Sequence, residues 1–195
     1  MNRRAALVSL IAAGTALVLA GCGADPDASL GEPIETGLWA VGGFDGAVSI
    51  TADSFEAVSD ETIARWELDP GDQDLYTAWF TVEVVEGEWT AEAGDVGAFR
   101  NVNWVVGTDG DFVAGPDRAV IDFGSPRIDD DECPNDTDTV QEALASTGTT
   151  EVCALLLAPG GSTVSEIGYA KAYKERGRRQ MGGAKIVSWS VTDPS

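Results

Sequence analysis

No histidine occurs anywhere in the 195 residues. That removes an imidazole general base, a Ser-His nucleophile pair and an imidazole metal ligand together. Carboxylate, amine, thiol and indole chemistry remain. Asp129-Asp130-Asp131-Glu132 is the densest run of carboxylates. Hard oxygen ligands of this kind suit calcium. The glycine and closing glutamate of an EF-hand are missing, however, and neighbouring carboxylates in an extended chain point different ways. A solvated loop is the plainer reading. Paired carboxylates also hydrolyse glycosides, but no feature of the chain selects a pair. Asp69, Asp72 and Asp74 flank Pro70-Gly71 and read as turn residues. The sequence therefore points to no catalytic residue, no metal ligand and no cofactor, and the expectation is a protein that is not an enzyme.

Two features suit binding instead. Lys171, Lys174, Arg176, Arg178 and Arg179 place five of the chain's 12 basic residues within nine positions. On a chain with 33 acidic residues and a net charge of −21, this segment stands out. It could meet phosphate-rich wall polymers, lipid headgroups or an acidic partner. It could equally be a hairpin tip balanced by nearby carboxylates. Trp79 lies on the polar side of an alternating segment, where an exposed indole could stack on a sugar or peptide. Packing beneath a loop or a second sheet is the alternative.

The amino terminus bears on the compartment. Asn2-Arg3-Arg4 precedes an uncharged run from Ala5 to Gly21, the pattern of a secretory signal. The run closes with Leu19-Ala20-Gly21-Cys22, which resembles the lipobox of bacterial lipoproteins. The resemblance implies cleavage before Cys22, diacylglycerol or palmitate-type acylation of its thiol, and anchoring at the extracytoplasmic face of the cell membrane. With Cys22 lipidated, Cys133 and Cys153 remain as a pair in an oxidising setting and are expected to form a disulfide. Removing residues 1–21 takes away two bases and no acids, so the remainder is more negative still. Such charge argues against nucleic acid as a partner.

Residues 22–36 are rich in Gly, Ala, Asp, Pro and Glu and read as a flexible tether. A single domain is expected over 37–193. Its dominant period is two. Tyr76, Ala78, Phe80, Val82 and Val84 share one face of a strand. Val102 to Val106 alternates and then meets Asp109-Gly110, a hairpin turn into Phe112-Val113. Further strands are expected at Ala47 to Ala52, Ile63 to Leu68, Ala119 to Phe123, Ser165 to Tyr173 and Lys185 to Val191. Glu151 to Leu157 is apolar on both faces, which predicts a central strand. Thr139 and Glu142 have capping-box spacing, which predicts one short helix from Thr139 to Ala145. The fold class is all-β, an antiparallel immunoglobulin-like β-sandwich of about seven to nine strands.

The lipobox, the aromatic strand Tyr76 to Val84, and Cys153-Ala-Leu-Leu-Leu-Ala-Pro-Gly-Gly161 leading to a final Trp strand occur together. The set resembles the telokin-like, immunoglobulin-fold extracellular lipoproteins of Gram-positive bacteria. That resemblance implies a non-catalytic β-sandwich and transfers no functional residue. Cys133 and Cys153 are too close in sequence to bridge two sheets around a core Trp as in antibody domains. The expected function is a membrane-anchored binding or interaction module at the cell envelope. Its partner would be an envelope protein or an anionic wall polymer. A carboxylate-based glycan hydrolase and a calcium-binding surface domain are the alternatives.

Overall fold

The computed structural model describes residues 26–36, 46–90, 104–108, 111–114, 132–133, 137–170, 173–175, 178–180 and 186–192. Cys22, the signal segment and the strand expected at Ala119 to Phe123 lie outside them. Two sheets pack face to face. One has the order β1 (Ala28–Ser29), β11 (Ile186–Ser190), β8 (Val164–Ala170), β5 (Trp104–Thr108), β6 (Asp111–Ala114). The other has the order β2 (Pro33–Thr36), β3 (Ala47–Ala57), β4 (Gln73–Glu86), β7 (Thr149–Pro159). All pairings are antiparallel except β1 with β11. A separate two-stranded ribbon joins β9 (Tyr173–Glu175) and β10 (Arg178–Gln180).

The chain changes sheet between β1 and β2, between β4 and β5, between β6 and β7, and between β7 and β8. The sheet orders 11-8-5-6 and 3-4-7 then correspond to G-F-C-C′ and A-B-E of an immunoglobulin-type sandwich. The expected fold class holds.

Period-two sequences build the interface. Tyr76, Ala78, Phe80 and Val82 of β4 are buried, as are Val48, Ile50 and Ala52 of β3. They meet Trp104, Val106, Ile167, Tyr169, Val187 and Trp189 from the opposite sheet. Phe80 stacks on Trp104 at 3.8 Å between ring centroids and 16° between planes. Tyr169 meets Trp104 edge-on at 4.7 Å, and Trp189 leans on Phe80 at 5.8 Å. Each such pair contributes about 0.5–1.5 kcal/mol beyond simple burial. In antibody domains a disulfide joins strands B and F beside the strand-C Trp. Here rings occupy that position.

Three local expectations are corrected. Residues 28–36 are not tether. Asp27 N–H donates to the Ser188 carbonyl, and Trp189 Nε1–H donates to the Glu32 carbonyl. Backbone pairing on a sheet edge does not need large apolar side chains, so a composition argument misses it. Residues 60–65 form helix α1 (Asp60–Arg65), where the sequence reading has a strand. Ser59 Oγ accepts from the Thr62 N–H, and Asp60 and Glu61 fill the first turn. Leu68 N–H donates to the Ile63 carbonyl and Glu67 N–H to the Ala64 carbonyl, closing a Schellman motif with Glu67 at φ 54°. Finally, β7 is not central: among the described residues it pairs with β4 alone.

The helix expected at 139–145 is present as α2 (Thr137–Thr147), so Thr139 lies within its first turn rather than capping it. The expected turn residues Asp109 and Gly110 lie outside the described residues; the strands flanking them pair antiparallel, with Thr108 opposite Asp111.

Candidate interaction surface

Two ends of the sandwich differ. At the lower end β4 starts and β7 turns into β8. This turn is tight: Gly160 N–H donates to the Asp72 carbonyl and Gly161 N–H to Asp74 Oδ2. The β3–β4 connection with α1 lies at the same end, where β5 also finishes and β6 starts. At the upper end β4 finishes, β7 starts, β8 finishes and β11 begins. Val84 N–H donates to the Gly148 carbonyl there, and Trp89 Nε1–H donates to Gln141 Oε1 of α2.

The basic segment lies in the connection that leaves and re-enters the sandwich at the upper end. Strands β8 and β11 form a hairpin whose last pair is Ala170 opposite Ile186. The ribbon β9–β10 lies in the connection between them, with Lys174 opposite Arg179 and Glu175 opposite Arg178. Two residues connect Ala170 to Tyr173 and five connect Gln180 to Ile186, so the ribbon does not continue the β8–β11 register. Lys171 and Arg176 lie outside the described residues. In the immunoglobulin correspondence this is the F–G hairpin, one of the loops that contact ligand in variable domains. Among the described residues the ribbon contains three of the four basic residues, Lys174, Arg178 and Arg179. The fourth, Arg65, is ion-paired with Glu132 at the lower end.

Trp79 belongs to a different layer. Its register partner is Cys153, and it is half-buried in a second cluster on the outer side of the β3–β4–β7 sheet. This cluster gathers Trp66, Leu75, Cys133, Cys153, Leu155 and Leu157, with Val58, Ile63 and Leu68 packed on it. It explains the two apolar faces of β7. Val152, Ala154 and Leu156 face the sandwich core, while Cys153, Leu155 and Leu157 lie under α1 and the loop that carries Cys133.

Cys133 and Cys153 form a disulfide with Cα atoms 5.0 Å apart, and both residues are buried. Next to it, Glu132 accepts from Trp66 Nε1–H at 2.5 Å and from Arg65 Nη2–H at 2.7 Å, one donor on each carboxylate oxygen. The end of the acidic run thus fastens a loop to a helix. Sequence reasoning missed this pairing, since 66 residues separate the partners. Asp129, Asp130 and Asp131 lie outside the described residues. Among the described residues no three His, Cys, Asp or Glu side chains are grouped to hold a metal ion, and no helix is long and apolar enough to cross a membrane.

Comparison with protein-family models, with curated proteins and with solved structures gives no match.

Proposed function

We propose that this chain is a membrane-anchored extracytoplasmic lipoprotein whose β-sandwich is a non-catalytic binding module at the cell envelope. Cys22 carries the lipid, and the β9–β10 ribbon engages an anionic component of the envelope. The ribbon's position supports the reading most. It is a two-stranded ribbon in the connection from β8 to β11, separate from both sheets, and it concentrates positive charge on an otherwise acidic domain. A rigid sandwich presenting one hairpin at its end is a scaffold suited to recognition rather than to chemistry.

A pull-down of the mature domain against cell-envelope fractions tests this reading. Capture should fall as salt rises from 0.05 to about 0.5 M, because exposed charges are screened beyond about 8–10 Å near physiological ionic strength. The variant Lys174→Ser/Arg178→Ser/Arg179→Ser should lose capture while its melting temperature stays put. Equal capture by parent and variant would sink the proposal.

A further inference from the structure

We propose that the ribbon's ligand is the anionic headgroup layer of the membrane that holds the anchor, so that the domain stands on the bilayer with its upper end down. This rests on the lipid-anchor reading above and names the partner of the same surface.

The leash is short. Asp27 is fixed to the sheet twice, by its N–H on the Ser188 carbonyl and by its carboxylate on the Ser188 N–H. Cys22 is five residues before it. At about 3.3–3.6 Å per residue, Cys22 lies within roughly 17 Å of Asp27. Strand β1 is parallel to β11, and β11 starts at the upper end, so β1 enters from the upper-end side. Ser188 is two residues from the start of β11, about 7 Å along a strand. The acylated residue can therefore rise no more than about 10 Å above the end of that sheet. Glu175, at the tip of β9, is five residues beyond Ala170 and reaches at most about 17 Å above the same end. Both reaches are measured from the same end of the β11–β8 sheet, and they overlap.

Charge orients the domain in the same sense. The lower end exposes Asp60, Glu61, Glu67, Asp69, Asp72 and Asp74. Its one described base, Arg65, is neutralised by Glu132. An anionic surface repels that end and attracts the ribbon. Glu83, Glu86 and Glu88 are exposed where β4 finishes, also at the upper end but on the other sheet. The domain consequently tilts, with the β11–β8 sheet nearer the bilayer and the β4 sheet lifted away.

The test couples the mature chain, through the free thiol of Cys22, to a maleimide lipid in vesicles. This sets the leash whether or not cells acylate Cys22, so failure of the anchor reading and failure of ribbon docking are told apart. Trypsin cleavage after Lys174, Arg178 and Arg179 is the readout. On vesicles with 30% phosphatidylglycerol, cleavage should be about tenfold slower than on pure phosphatidylcholine, and about 0.5 M salt should erase the difference. Inserting 20 Gly/Ser residues after Cys22 should also weaken the protection, since a longer leash lowers the local concentration of headgroups. Equal cleavage on the two vesicle types overturns the proposal, as does protection that the spacer leaves unchanged. Protection that requires added envelope protein also overturns it and returns the ribbon to a protein partner.

Discussion

Glu132 offers the sharpest test of the outer layer. Replacing it with Ala removes a charge-assisted hydrogen bond to the Trp66 indole and an ion pair to Arg65. A hydrogen bond to a charged group contributes about 1.5–3 kcal/mol. The Arg65 pair is solvent-exposed and adds only about 0.2–1 kcal/mol. Partial exposure of the Trp66 bond lowers the first figure, so Glu132→Ala should cost about 2 kcal/mol. Glu132→Gln keeps a neutral acceptor for the indole and should cost about 1 kcal/mol or less. The two ties on this loop are also coupled. The disulfide closes a 20-residue separation, which contributes about 3 kcal/mol in the chain-entropy model. It holds Glu132 beside Trp66, so the ordering cost of that contact is already met. With the disulfide reduced, the same contact must order the loop unaided, and Glu132→Ala should cost at least 0.5 kcal/mol less than in the oxidised protein. Urea denaturation followed by far-UV circular dichroism, with and without reductant, gives all the free energies. Equal losses for Ala and Gln would show that the indole bond contributes nothing. Equal losses in oxidised and reduced protein would refute the coupling.

Four other outcomes are expected. A clickable palmitate analogue should label the protein in cells, and Cys22→Ala should abolish the signal. Cys133 and Cys153 should resist alkylation until reductant is added, and reduction should lower the melting temperature by several degrees. Glu67→Gly should stabilise by about 0.5–1 kcal/mol, because Glu67 occupies the left-handed region that glycine enters freely. Gly160→Ala should destabilise by about 1–3 kcal/mol, since its Cβ would run into the Asp72 carbonyl oxygen, as thermal melts would register.

Sheet-forming segments were legible where one face is buried and the other wet. In β4 the alternation from Tyr76 to Val82 names the core residues correctly, because burial on a pleated strand repeats every two residues. The reading failed where burial had another source. β7 is apolar on both sides because a helix and a disulfide loop cover its outer face, and sequence alone cannot separate that from a strand between two neighbours. Strands β1 and β2 pair through their backbones and add only Ala28 and Ile34 to the core, too little to leave a compositional trace. Helix α1 was readable in principle: Ser59 with Thr62 and the acidic first turn mark its start, but Ile63, Trp66 and Leu68 over so few residues mimic a strand. Of the candidate surface, the basic segment was visible as charge density. Its position depends on how β8 and β11 pair across 15 intervening residues (171–185), and no local pattern encodes that.

The separation of rings from sulfur gives the protein two built-in optical reporters. Trp104 and Trp189 lie among other rings in the sandwich, away from the disulfide, and Phe80 and Tyr169 pack with them in a fixed chiral array. Trp66 and Trp79 border Cys133–Cys153, and a disulfide quenches neighbouring indoles. Reduction should therefore brighten the tryptophan emission while leaving the near-ultraviolet dichroism of the ring array largely intact. Loosening of the loop and melting of the sandwich can then be followed as two separate signals, emission and dichroism, of one unlabelled molecule.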